Sequence, residues 1–134
     1  MKPPSSTRPN LRDQQRVDAA LEVTVEQSSG AVITCQTANM SRAGMMMACN
    51  SEVVNALAPG RRSPAAGEGI PVTARFNLPV IAAQTIAITA HCQIVHIRRV
   101  ARDTFHVGIH FCDFDGNGYQ YVDQYVSRQL NPSV

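Results

Sequence analysis

The amino-acid sequence predicts an all-β fold, a closed antiparallel β-barrel of six strands followed by one C-terminal α-helix. Three observations support this prediction. Short apolar stretches with a period of two recur between Val17 and Cys112, turn residues separate them, and a pattern with helical spacing lies near the end of the chain. We expect the sheet to close because closure removes exposed strand edges.

The length of the chain fits one domain. It has 134 residues, which is enough for an independent core. Residues 1–10 contain three prolines and very few residues that could be buried, so they are expected to form a flexible N-terminal tail. The folded domain is therefore predicted to span residues 11–134.

The first predicted strands form a hairpin. From Val17 onwards every second residue is apolar, a turn follows at Ser28–Gly30, and residues 31–37 are rich in Val, Ile and Thr. The polar segment from Asn39 to Gly44 is interpreted as the next turn. Met45 to Cys49 is an uninterrupted apolar run, which predicts a strand buried on both faces.

The second half of the chain completes the barrel. Residues 50–69 are interpreted as a long loop with one helical turn near residues 52–57. Strands are predicted at Ile70–Leu78, Gln84–Arg98 and Thr104–Cys112.

The last element is predicted to be a helix that begins at Asn117, which can act as its N-cap with Gln120 three residues later. Its apolar stripe has helical spacing and should pack on the barrel. The stripe consists of Tyr119, Val122, Tyr125, Val126 and Leu130.

The composition argues against several classes of function. A net charge of +2 is too small for a protein that coats nucleic acid, so we expect no DNA or RNA partner. No run approaches the ~20 apolar residues of a membrane span, and the start lacks the apolar segment of a signal peptide. We therefore expect a cytoplasmic protein without membrane insertion. The four cysteines are interpreted as buried small hydrophobes.

Two short patterns carry the functional prediction. Arg12 and Arg16 lie four residues apart, and guanidinium groups bind phosphate and guanine bidentately. In Asn39-Met-Ser41-Arg-Ala-Gly44, the first and third residues offer hydrogen-bonding groups, and the glycine permits a positive φ and a close approach to the backbone. Together they predict a site for a ligand with both phosphate and guanine.

In order and separation, these motifs resemble those of the bacterial PilZ domain, which binds the second messenger cyclic di-GMP (c-di-GMP) through them. The resemblance extends from Leu11 to about Leu130, and Gly108–Phe111 followed by Asp113 is similar to the last barrel strand of the family. It implies a PilZ-like barrel of the single-domain type that binds cyclic di-GMP and uses no other cofactor.

The resemblance also implies roles for individual residues. Arg12 and Arg16 would clamp guanine and phosphate, while Asn39 and Ser41 would hold the ligand from the barrel surface beside Gly44. Both arginines are expected to be flexible in the free protein and to become ordered on binding.

The number of ligands per site is a separate question. Leu11 occupies the position where a basic residue tends to accompany a stacked ligand pair, which favours a single ligand. Arg8 and Arg42 are additional candidates that could supply the missing charge.

Metal sites and catalysis have weaker support. Asp113 to Gly118 resembles the start of a calcium loop, but its twelfth position is Gln124 where calcium requires Glu. The histidines and cysteines lack the spacings of structural zinc. No motif for a catalytic nucleophile or a phosphate-binding glycine loop is present. We therefore predict no metal and no enzymatic activity.

Three hypotheses follow. The first is a cyclic di-GMP receptor that regulates an unidentified effector protein in motility, biofilm or virulence. The second is a degenerate PilZ-like adaptor that contacts proteins and binds no nucleotide. The third is a metal-dependent enzyme that uses the His and Cys residues.

Overall fold

The structure is a computed structural model. It describes residues 11–58, 60, 63–81 and 84–131, apart from the side chains of Leu11, Arg12, Val80 and Ile81. The predicted flexible tail, residues 1–10, and the candidate ligand residue Arg8 within it lie outside the described residues. In chain order the elements are α1 (Leu11–Gln14), β1 (Val17–Asp18), β2 (Glu22–Gln27), β3 (Val32–Met40), β4 (Gly44–Cys49), α2 (Ser51–Leu57), β5 (Ile70–Ile81), β6 (Gln84–Ala101), β7 (Thr104–Phe114) and α3 (Gly118–Leu130).

The strands form a closed antiparallel barrel. Their pairing order in the described chain is β2-β5-β6-β7-β4-β3, and β3 pairs with β2 to close the ring. β1 is a short extra strand paired with the end of β3. The predicted all-β barrel of six strands with a C-terminal helix is confirmed.

The core fills the barrel interior with side chains from alternating positions of each strand. The largest fully buried side chains include three methionines, which adapt to irregular spaces. The full set of these largest buried side chains is Met40, Met45, Met47, Leu78, Ile94, Val23, Val25, Val54, Val107, Val122 and Val126. Helix α2 contributes Val54 and Leu57 to this core, and Asn50 caps the helix by accepting a hydrogen bond from the Val53 amide at 2.8 Å.

The strand predicted to start at Val17 is interrupted at residues 19–21. The Thr37 hydroxyl accepts a hydrogen bond from the Leu21 amide at 2.9 Å and donates one to the Ala19 carbonyl oxygen. The buried Thr37 side chain thus provides hydrogen bonds for two backbone groups that have no partner in the sheet. Because of this interruption, β1 pairs with the last residues of β3, with Asp18 opposite Asn39.

The prediction that β4 is buried on both faces is wrong. Met45 and Met47 point into the core and are fully buried, whereas Met46 is partly exposed and Ala48 is exposed. A barrel strand has only one core face, so the alternate residues of an apolar run remain on the outer surface. This outer surface is part of the site described below.

Helix α3 is confirmed, with two differences in detail. Val122, Tyr125 and Val126 are buried as predicted, but Tyr119 is 44% exposed. Asn117 occupies the N-cap position without a capping side-chain hydrogen bond. In the first turn of the helix, the residue that packs closely on the barrel is Gly118. A Cβ atom at this position would lie 2.9 Å from the Phe114 side chain.

The cysteine prediction holds for three of the four residues. Cys35, Cys49 and Cys92 are buried free thiols, and Cys112 is exposed. The exception follows from strand alternation, because Phe111 faces the core and the next residue, Cys112, therefore faces outwards. No helix within the described ranges is long and apolar enough to cross a bilayer.

Candidate ligand-binding site

A β-bulge in β3 directs Asn39 towards the outer surface. The register between β3 and β4 shifts between Thr37 and Asn39, so Thr37 pairs with Met47 and Asn39 pairs with Met46. Without the extra residue, Asn39 would share the inward orientation of Thr37, because side chains alternate along a strand. The bulge instead turns Met40 into the core and leaves Asn39 partly exposed. Asn39 therefore lies within a strand and not in the predicted turn.

Arg16 joins the two predicted motifs. Its Nη1 atom donates a hydrogen bond to Asn39 Oδ1 at 2.8 Å. The contact is possible because Val17 and Asp18 pair with Met40 and Asn39 and place Arg16 beside the bulge. Arg16 is exposed and directly precedes β1, and its expected flexibility in the free protein stays a prediction.

Ser41 stabilises the turn between β3 and β4. Its side chain is 1% exposed, and its hydroxyl oxygen accepts hydrogen bonds from the amides of Ala43 and Gly44, each at 3.2 Å. The Ser41 amide donates to the Gly44 carbonyl oxygen at 2.8 Å. Short local bonds of this type hold a turn in one conformation. In this structure the hydroxyl of Ser41 faces the backbone.

Gly44 is required by strand packing. Its φ is not among the positive values found at other glycines, so the predicted conformational role does not apply. A Cβ atom at this position would lie 2.0 Å from the Ile109 carbonyl oxygen of β7. Gly44 thus allows the close approach of β4 to β7 and leaves the outer surface there without a side chain.

Arg42, an additional candidate for ligand contact, is buried against helix α3. Arg42 is 4% exposed, and its Nε atom lies 2.5 Å from Asp123 Oδ1 of helix α3. Its Nη2 atom donates to Ser127 Oγ at 2.7 Å. This arrangement uses the guanidinium within the fold. The side chain of the other predicted clamp residue, Arg12, is outside the described part, and its backbone belongs to α1.

Two of the predicted ligand residues, Arg16 and Gly44, line a surface cavity of about 330 Å³, whereas Asn39 and Ser41 are not among its lining residues. Its floor is the outer face of β4, β7 and β6, where Met46 pairs with Gly108 and Gly108 pairs with His96. Glycines at positions 44 and 108 keep the floor low, while histidines and apolar side chains surround it. The lining residues are Gln14, Arg16, Ala43, Gly44, Met46, Val95, His96, Gly108, Ile109 and His110.

The chemistry of this cavity suits an anionic ligand with planar groups. None of the lining residues is acidic, and Arg16 places a guanidinium at the edge. Imidazole rings and a methionine side chain offer flat or adaptable surfaces for a base. His96, His110, Met46 and Gly108 were not predicted as site residues. The alternation of apolar residues from Phe105 to Phe111 is nevertheless visible in the sequence, and it places Gly108 and His110 on the opposite face of that strand.

A larger cavity of about 400 Å³ lies elsewhere on the barrel. Glu26 contributes a carboxylate to its lining, and no arginine or lysine is among its lining residues. His91 at this cavity contacts Asp115 Oδ1 through Nε2 at 2.8 Å. These groups make it a poorer site for a phosphate than the cavity beside Arg16.

The buried thiols have strongly altered pKa values. Burial raises the pKa of Cys92 to about 12. A hydrogen bond with Cys35 and burial both raise the pKa of Cys49, and the same hydrogen bond lowers the pKa of Cys35. Cys92 is therefore protonated at neutral pH and is a poor nucleophile.

A comparison with protein-family models matches the PilZ domain over residues 10–128. The chain belongs to the PilZ domain family. This match covers the barrel, both motifs and nearly all of α3. No curated protein sequence matches significantly.

Solved structures support the same fold for this PilZ domain. The chain is similar to the Bacillus subtilis inhibitor of motility, MotI/DgrA, with a TM-score of 0.65, 19% identity, and coverage of 89% of this chain and 50% of that one. It is also similar to apo MrkH of K. pneumonia, with a TM-score of 0.61, 11% identity, and coverage of 94% and 53%. The chain thus spans about half the length of these two proteins.

A third similar structure is a PilZ domain described as that of YcgR from Escherichia coli with c-di-GMP. Its TM-score is 0.57 at 13% identity, and the alignment covers 90% of this chain and 96% of that one. At this level of identity the similarity concerns the fold.

Proposed function

We propose that this PilZ domain is a receptor for cyclic di-GMP, which it binds in the cavity between Arg16 and the outer face of β4, β7 and β6. The observation that supports this most strongly is the hydrogen bond between Arg16 and Asn39, which joins the two motifs of the family at the edge of that cavity. The YcgR domain, a structural neighbour, is described with the same nucleotide.

In this proposal the arginines recognise the ligand and the barrel supplies a fixed surface. Arg16 and Arg12 contact guanine and phosphate, Asn39 orients Arg16, and Ser41 maintains the turn that carries Ala43 and Gly44. Each bidentate contact to guanine contributes about 1–3 kcal/mol, and a micromolar Kd corresponds to about 8 kcal/mol. Two arginines with phosphate and stacking contacts are sufficient for that affinity. Since Asn39 already holds Arg16, less side-chain entropy is lost on binding.

The proposal includes a single ligand per site and a regulatory output without enzymatic activity. The engagement of Arg42 with α3 supports a single ligand, because a stacked ligand pair would require an extra positive charge in the site. Binding changes the outer surface beside β6 and β7, and an effector protein in the cytoplasm recognises the altered surface.

A titration series tests the proposal. Purified protein is titrated calorimetrically with cyclic di-GMP, and with GTP and cyclic di-AMP as controls for charge and ring structure. We expect selective binding of cyclic di-GMP with a stoichiometry of one. Absence of heat together with an unchanged Tm would contradict the receptor function and favour an adaptor that binds no nucleotide.

A further inference from the structure

Arg42 combines two properties that rarely occur together in a surface turn. It lies between Ser41 and Gly44 of the ligand-binding motif, yet its side chain is only 3% exposed. Its Nε atom pairs with Asp123 Oδ1 at 2.5 Å, and its Nη2 atom donates to Ser127 Oγ at 2.7 Å. Asp123 and Ser127 are four residues apart, so they present one side of helix α3 to the turn.

This contact fixes the turn relative to α3. A buried guanidinium is costly unless it is paired and hydrogen-bonded, so a displacement of either element that separates the pair is unfavourable. Val122, Tyr125 and Val126 independently bury the helix against the barrel. The helix therefore provides a firm support for a turn that is distant in sequence, 81 residues away.

The turn is also part of the cavity wall. Ala43 and Gly44 directly follow Arg42, and both line the cavity beside Arg16. The Ser41 hydroxyl accepts hydrogen bonds from the amides of Ala43 and Gly44. Arg42 connects the same turn to helix α3. A shift of α3 that pulled on Arg42 would alter this wall.

We propose that Arg42, Asp123 and Ser127 are positioning residues of the nucleotide site, through which ligand binding and the docked position of α3 are coupled. The inference rests on the proposed function. Because coupling is reciprocal, bound nucleotide stabilises the docked helix, and a partner that displaces α3 weakens nucleotide binding. The Asp123 side chain is 32% exposed, so a cationic group of a partner protein can approach it.

The test uses substitutions on α3, away from the cavity lining. Asp123→Asn removes the carboxylate charge, and Ser127→Ala removes the hydroxyl with less risk to folding. Ser127→Thr retains the hydroxyl and serves as the rescue variant. Asp113→Asn and Gln129→Ala are matched controls, since both residues are exposed and neither takes part in a described side-chain hydrogen bond or ion pair. Circular dichroism and thermal unfolding confirm that each variant is folded at the titration temperature.

Two readouts distinguish positioning from a general effect on stability. The Kd for cyclic di-GMP is measured by calorimetry, and hydrogen exchange of the α3 amides is followed with and without the nucleotide. We expect Asp123→Asn and Ser127→Ala to weaken binding by at least about fivefold, the lower end of typical coupling between sites. Ser127→Thr and both controls should retain the wild-type Kd. Nucleotide should slow exchange in α3 of the wild type, and this effect should be smaller in Asp123→Asn.

The outcomes separate the two proposals. If the wild type binds cyclic di-GMP and the folded Ser127→Ala and Asp123→Asn variants bind it equally well, the coupling is refuted while the receptor function stands. If the wild type does not bind it, the receptor function is refuted and the coupling is refuted with it.

Discussion

The Arg16 guanidinium donates a hydrogen bond to Asn39 Oδ1 at 2.8 Å, although the two residues are 23 positions apart in the chain. Two features of the backbone make this contact. β1 pairs with the end of β3 and places Arg16 beside it, and the bulge before Asn39 turns the amide outwards. The contact lies at the edge of the cavity that Arg16 lines. Among the described cavities, only this one has no acidic lining residue.

Replacement of Arg16 should affect binding far more than stability. Arg16→Ala removes a guanidinium at an exposed position, so we expect a loss of about 1–3 kcal/mol in binding, roughly 5- to 150-fold in Kd. Arg16→Lys keeps the charge but cannot form a bidentate contact, and should restore only part of the affinity. Calorimetric titration with cyclic di-GMP measures both variants. Arg102→Ala, an exposed arginine in the β6–β7 turn, is the control, and an equal loss in that variant would argue against a specific role for Arg16.

Ser41→Ala should reduce stability as well as binding. The variant leaves the part-buried Ala43 amide and the buried Gly44 amide without their acceptor, at a cost of about 1–3 kcal/mol in the free energy of unfolding. Ser29→Ala provides a matched control, because the Ser29 hydroxyl accepts a single, exposed hydrogen bond from Ala31 at 3.3 Å. Urea denaturation compares the two. An unfolding free energy of Ser41→Ala equal to that of the wild type would contradict the structural role.

Two glycines of the cavity floor should respond differently to alanine. Gly44→Ala forces a methyl group against the Ile109 carbonyl oxygen, so we expect destabilisation of about 1–3 kcal/mol or more. At Gly108 the nearest atom is His96 Cβ at 3.3 Å, which can shift slightly, and the new methyl group raises the floor of the cavity. Gly108→Ala should therefore keep its Tm close to that of the wild type and bind cyclic di-GMP more weakly. The reverse order of effects would show that the floor is assigned incorrectly.

Thr37→Val tests the interruption between β1 and β2. The variant preserves the shape of the buried side chain but removes the hydroxyl that serves the Leu21 amide and the Ala19 carbonyl. Loss of these partners should cost about 1–3 kcal/mol in unfolding free energy. Because the same segment positions Arg16, affinity for cyclic di-GMP should also fall. Thr34→Val, at an exposed position of the same strand, should change neither quantity.

Thiol reactivity should distinguish Cys112 from Cys92. Cys112 is exposed, whereas Cys92 is 3% exposed and burial raises its pKa to about 12. The raised pKa keeps the Cys92 thiol protonated between pH 7 and pH 9, so alkylation there should stay slow in this range. Mass spectrometry after brief treatment with iodoacetamide should find label at Cys112 first. Label that appears first at Cys92 in folded protein would contradict the burial.

The sequence predicted the barrel because alternation and short turns are local signals. It also placed Arg16, Asn39 and Gly44 in two motifs that the fold brings together, since Arg16 contacts Asn39 and lines the same cavity as Gly44. Their role in ligand binding stays a prediction. The sequence did not predict the contacts that they make. The bulge before Asn39 depends on the register between β3 and β4, and the need for glycine at position 44 depends on the distance to β7.

Other features depend on contacts between distant segments. Arg42 has the composition of a solvated turn residue, and only the folded structure brings Asp123 and Ser127 of α3 to it. The floor residues were missed for the same reason, because Met46, Gly108 and His96 become neighbours only when β4, β7 and β6 pair. A period of two shows which residues of a strand face outwards, and it does not show which strands are adjacent.

The most direct test of the central claim is a two-dimensional NMR titration of isotopically labelled protein with cyclic di-GMP. The expected result is a set of shifts centred on the amides of Ala43, Gly44, Gly108 and His110, with smaller changes at Asn39. Shifts confined to Glu26, Thr73 and Gln93 would place the ligand in the larger cavity on the other part of the barrel. That result, or the absence of any shift at saturating nucleotide, would contradict the proposed site.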